Sequence, residues 1–109
     1  MKILRIFGFM FLLTITAVNF AQAAELPKFK KSESYTSVRA KMIKAGWKPF
    51  HSENADTCSE YDERCKGRPE MEACAGTGMA NCKFLWQKNG KTVSICTVGE
   101  NTAFDGICD

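Results

Sequence analysis

The sequence contains one histidine, three prolines and no Cys-x-x-Cys pair. His51 has no Gly-x-Ser-x-Gly element to work with, so a serine nucleophile with a histidine base is not indicated, and a structural or surface histidine is expected. Without Cys-x-x-Cys, the usual zinc-ligand spacing and the thioredoxin-type redox pair are both missing. Gly76-Thr77-Gly78 lacks the length and the lysine of a phosphate-binding P-loop, and it reads as a tight turn between two cysteines. A large excess of one charge is missing too. Beyond residue 23 the chain carries 13 basic and 12 acidic residues, a balance of +1. Such near neutrality disfavours a nucleic-acid partner.

What the sequence does contain begins with Lys2 and Arg5, followed by an apolar run of about 13 residues from Ile6 to Val18. That run is short of the roughly 20 apolar residues of a membrane-spanning helix. Ala21-Gln22-Ala23 then offers the small-x-small form accepted by signal peptidase. Residues 1–23 are therefore expected to be a signal peptide, with a mature chain from Ala24 that has no transmembrane anchor after cleavage. The first cysteine is Cys58, so lipid attachment at the cut is not indicated.

Residues 24–109 form a single small domain, near the size at which a hydrophobic core alone gives marginal stability. All six cysteines, Cys58, Cys65, Cys74, Cys82, Cys96 and Cys108, fall in this part, and an even number in an exported small domain reads as a disulfide framework. An oxidising compartment, the periplasm, is the expected location. Charge is uneven along the domain. Residues 24–52 hold seven basic and two acidic side chains and residues 53–72 three basic and seven acidic, so the two segments attract.

Ser34 is a suitable N-cap, and Tyr35, Val38, Met42 and Ala45 recur at helical spacing with Ile43 at the flank, which predicts a helix over 35–45 stopped by Gly46. Trp47 to His51 reads as a short extended segment, because Pro49 biases Lys48 away from helix. Residues 52–78 read as a long polar connection, with Pro69 opening a short helix that reaches Cys74. Asn89-Gly90 is the favoured two-residue type I′ turn, and it predicts a hairpin over 82–98. Its register sets Lys88 opposite Lys91, Trp86 opposite Val93 and Phe84 opposite Ile95, an apolar face for the helix to cover. Leu85, Ser94, Cys96 and Val98 occupy the reverse face, where a folded-back tail would lay Phe104 and Ile107 over them. The expected fold is α+β: one N-terminal helix packed on a small antiparallel sheet of a short strand plus the C-terminal hairpin, stabilised by disulfides. Locality favours Cys58 with Cys65, Cys74 with Cys82 and Cys96 with Cys108, one of 15 connectivities.

Tyr35-x-x-Val38-Arg39, Gly46-Trp47-x-Pro49 and Cys74-x-Gly76-x-Gly78-x-x-x-Cys82-x-Phe84 resemble a group of small exported proteobacterial proteins over residues 35–99. The resemblance implies a periplasmic setting and supports the Cys74–Cys82 link, and it carries over no catalytic residue. Cys58, Cys65, Cys96 and Cys108 depart from the shared pattern.

No other constellation points to chemistry. Asp56, Glu60, Asp62 and Glu63 lack the glycine and spacing of an EF-hand, so calcium is not expected. Glu70 and Glu72 imitate a glycosidase carboxylate pair, but they read as solvated charge in an acidic loop. Trp47 and Trp86 lie in segments expected to bury apolar surface. Lys41, Lys44 and Lys48 form a basic surface that could meet an envelope protein or an anionic envelope polymer. The resulting expectation is a non-enzymatic periplasmic binding or accessory module, of the inhibitor or immunity-protein kind, with no cofactor and no metal. The alternatives are a small envelope hydrolase acting through carboxylates and a structural envelope protein.

Overall fold

The computed structural model describes residues 25–109. The signal peptide expected over residues 1–23, and its cleavage point, lie outside the described residues.

Ser34 turns the chain into helix α1 (Tyr35–Lys44), its side chain accepting the Ser37 N–H at 3.2 Å and so satisfying one of the free donors of the first turn. Tyr35, Val38 and Met42 are fully buried, whereas Ile43 at the flank is 50% exposed. Gly46 ends the helix with φ +92°, a conformation that favours glycine. The Lys88 ammonium donates to the Ala45 carbonyl at 2.6 Å, placing a cation at the negative end of the helix. The domain does not begin with this helix, contrary to the expectation of an N-terminal helix. Residues 25–34 form a strap ahead of it, with Leu26 and Phe29 packed on the core and the Trp47 indole N–H donating to the Glu25 carbonyl at 3.3 Å.

Five strands form one antiparallel sheet: β1 (Lys48–Pro49), β2 (Met71–Cys74), β3 (Cys82–Lys88), β4 (Lys91–Val98) and β5 (Ala103–Cys108). The β3–β4 hairpin is its centre. Asn89 and Gly90 take φ +50° and +80°, the two positive values of a type I′ turn. The pairing of Lys88 with Lys91, Trp86 with Val93 and Phe84 with Ile95 is the register that turn demands. β1 and β2 lie end to end along the other side of β3, where Pro49 costs no ladder bond in the sheet interior. β5 completes the sheet beside β4. Val at position 90 would have to adopt a positive φ with a branched Cβ. Gly90→Val is expected to destabilise the domain by about 1 kcal/mol or more, and an unchanged Tm would contradict the turn.

The helix covers one sheet face. Tyr35, Val38 and Met42 pack with Phe84, Trp86, Val93 and Ile95, and the rings of Tyr35 and Phe84 stack with centroids 3.9 Å apart. Trp47 and Trp86 both belong to this core, 2% and 0% exposed. This is the small disulfide-stabilised α+β fold expected from the sequence, with more of the chain in the sheet.

Two further expectations need correction. Residues 69–74 are not helical: Met71–Cys74 is β2, paired with β3 through Met71 opposite Phe84 and Cys74 opposite Cys82. Extended geometry lets the segment complete the edge of β3, which a helix at this position would leave unpaired. The tail does not cross the reverse face of the hairpin either. It runs alongside β4 as β5, with Ile107 opposite Ile95 and a bulge that brings Phe104 opposite Thr97. Paired residues share a face. Phe104 therefore joins the core side, 5.0 Å from the Phe29 ring, and Ile107 is 49% exposed.

The disulfides are Cys58–Cys65, Cys74–Cys82 and Cys96–Cys108. The second joins directly opposed strand residues with Cα atoms 4.0 Å apart. The third is diagonal: Cys96 faces Gly106 while Cys108 faces Ser94, and the Cα atoms are 5.9 Å apart. Three such bonds in a small domain belong to an oxidising environment.

Candidate functional site

The segment entering β2 carries Glu70, which is fully buried. Its Oε2 accepts from the Tyr35 hydroxyl at 2.7 Å and from Arg39 Nε at 2.6 Å, and its Oε1 accepts from Arg39 Nη2 at 3.2 Å. The Trp86 indole N–H donates to the Tyr35 oxygen at 3.0 Å, which completes a chain of four side chains, buried from Trp86 to Glu70 and reaching the surface at Arg39. Burial, reinforced by the Glu70 carboxylate, raises the Tyr35 phenol far above its ordinary pKa. The hydrogen bond to Glu70 likewise raises the Arg39 guanidinium. The expectation of a solvated Glu70 is thus wrong, because this carboxylate is the counter-ion of α1. Glu72 faces Lys83 instead, at 3.6 Å.

Arg68 lies against the same network from outside. Its guanidinium carbon stands 4.8 Å from the Tyr35 ring centroid and 5.9 Å from that of Phe84. Nη1 donates to the Arg64 carbonyl at 2.7 Å and to Thr102 Oγ1 at 3.4 Å, and Nη2 donates to Thr36 Oγ1 at 3.1 Å. Among the described residues no carboxylate pairs with it, and burial lowers its pKa.

Two recesses flank this arginine. One is a cleft of about 480 Å³ walled by the Cys58–Cys65 disulfide, Pro69 and Met71, with His51, Asp56, Thr57 and Arg68 as its polar side chains. His51 Nδ1 stands 3.0 Å from the Pro69 carbonyl. A carbonyl only accepts, so Nδ1 carries the hydrogen and Nε2 is left as the acceptor of the neutral ring. The other is a groove of about 330 Å³ between Thr36, Arg39, Ala40 and Ile43 of α1 and the segment Lys66–Arg68. Gly67 and Arg68 line both.

Arg64 stiffens the loops around the cleft. It grips Asp62 with two hydrogen bonds of 2.8 and 2.6 Å and donates to the Ala75 and Ala80 carbonyls at 2.7 and 3.3 Å. The acidic connection is thereby tied to the loop closed by Cys74 and Cys82, which contains Gly76-Thr77-Gly78. Asp62 is spent on this clamp, and among the described residues no group of three or more His, Cys, Asp or Glu side chains is placed to hold a metal ion.

The three lysines of the expected basic face are not equivalent. Lys41 is 2.9 Å from Glu33 and donates to the Lys28 carbonyl at 3.3 Å, so the strap engages it. Lys44 and Lys48 are exposed, and Lys48 lines a shallow recess of about 260 Å³ with Lys88 and the hairpin turn. Arg39 and Ile43 belong to the other flank of α1, since a step of two residues turns a helix by about 200°. Reading from the sequence overlooked Arg39, Lys66 and Arg68 as a cationic group. Ile43 beside Arg39 was the one local sign of it, an apolar residue outside the buried stripe.

No protein-family model, curated protein or solved structure matches this chain.

Proposed function

We propose that the chain is a non-enzymatic binding or accessory module of the periplasm, of the inhibitor or immunity-protein kind, which presents a rigid crosslinked surface to another protein. The observation that carries this reading is the 480 Å³ cleft, preformed and walled by a disulfide. Its shape costs little to organise on binding, because Cys58–Cys65 and the Arg64 clamp already hold it. The basic leader expected at residues 1–23 and the three disulfides support an exported location.

Carboxylate hydrolysis finds less support. Glu70, one of the two candidate carboxylates, is fully buried and already accepts three hydrogen bonds from Tyr35 and Arg39, so it presents no face to a substrate. Lys44 and Lys48 belong to the proposal as a second, anion-attracting contact surface, while Lys41 is held by Glu33 and stands apart from it.

A photoreactive side chain at His51 tests the reading in the exported protein. The expected result is a discrete covalent adduct with one protein, competed away by excess unlabelled domain. Absence of any protein adduct at this position would count against the cleft as the contact surface.

A further inference from the structure

The α1 groove differs from the cleft beside it in charge. Its lining includes three cations, Arg39, Lys66 and Arg68, and no carboxylate, whereas the cleft contains Asp56. Glu70 beneath the groove pairs directly with Arg39 and reaches Arg68 only through its field, and exposed Glu63 touches Lys66 at 3.2 Å. Arg68 keeps its charge with no acidic partner among the described residues, and its Nε–H makes no hydrogen bond there. Ala40 and the half-exposed Ile43 add an apolar strip along the helix side.

From this juxtaposition we infer that the groove between Thr36–Ile43 and Lys66–Arg68 binds an acidic peptide segment of the partner, one that also presents an apolar side chain to Ile43. The inference rests on the binding-module reading and specifies the chemistry of the partner. Charge complementarity selects the sign of the occupant. A carboxylate reaching Arg68 would supply the direct ion pair that this arginine lacks, and charge-assisted bonds from a guanidinium are the stronger kind. The apolar strip selects a peptide over a polyanion: a sugar or phosphate polymer has nothing to place on Ile43 and Ala40, whereas an acidic segment with one aliphatic residue satisfies both. The exposed charges are screened by salt, so association should weaken as ionic strength rises.

The experiment places a photoreactive side chain at Ile43 in the full exported chain and identifies the crosslinked species by mass spectrometry. The expected product is a peptide with an excess of Asp and Glu and at least one aliphatic or aromatic residue. A synthetic copy of it should bind the purified protein, with affinity reduced at least about tenfold by Lys66→Glu and by Ile43→Glu and unaltered by Lys91→Glu, a residue that does not line the groove. Near-UV circular dichroism of each variant reports folding, and Ile43→Ala replaces Ile43→Glu if the latter fails to fold. A lipid or polysaccharide adduct, a neutral or basic peptide, or indifference to Lys66→Glu would overturn the inference. Adducts at position 51 with none at position 43 would overturn it while leaving the binding module standing, and silence at both positions would remove both.

Discussion

Reducing all three disulfides in the absence of denaturant should abolish the cooperative thermal transition. The bonds close short stretches, with separations of 7, 8 and 12 residues. Each restricts the unfolded chain by roughly 2 to 3 kcal/mol in the entropic account. Together they rival the whole net stability of a small domain, about 5 to 15 kcal/mol. The loss should be uneven. Cys96–Cys108 closes the longest loop and fastens β5, so replacing that pair by serine should lower Tm most. Calorimetry with and without reductant provides the measurement, and a reduced protein that melts within a few degrees of the oxidised one would refute the framework.

Glu70→Ala should be the most damaging change of a single charged residue, at about 3 kcal/mol or more. It strips Arg39 of its counter-ion and leaves the Tyr35 hydroxyl without its acceptor inside the core. Tyr35→Phe deletes two bonds of the same chain, the one to Glu70 and the one from the Trp86 indole, and leaves the ion pair intact, and about 2 kcal/mol is expected there. Urea titration of both variants gives the comparison. Equal midpoints for the two would mean that the ion pair contributes nothing beyond the two tyrosine bonds, and would refute the role of Glu70 as the counter-ion of Arg39.

The parts of the fold that were legible in the sequence are those governed by neighbours in the chain. Ser34, the stripe Tyr35–Val38–Met42 and Gly46 bound a helix locally, and Asn89-Gly90 sets the hairpin register by its own backbone preference. Glu70 was misread because its partners are 31 and 35 residues away and the surrounding stretch is dominated by charged residues. β5 was misread for another reason. The bulge between Ile107 and Phe104 breaks the alternation that marks a strand, so its apolar residues seem to belong to a tail. The candidate groove was hidden by composition: Lys66 and Arg68 occur in the acidic stretch, and only the packing of that stretch against α1 brings them to Arg39.

The way the sheet ends on either side has a consequence for life in a concentrated protein solution. A long, flat border strand invites another chain to add to it, which is a common start to aggregation. Here one border is split between a two-residue and a four-residue strand, interrupted by Pro49 nearby. On the opposite border, Ser32 N–H donates to the Phe104 carbonyl and Phe104 N–H to the Glu33 carbonyl, so the strap already occupies the first part of β5. Beyond it, Gly106 at φ +129° and the unpaired Asp105 bend what is left and put a charge on it. Neither border offers a straight template, so the domain can hold a large share of its backbone in strands without recruiting copies of itself.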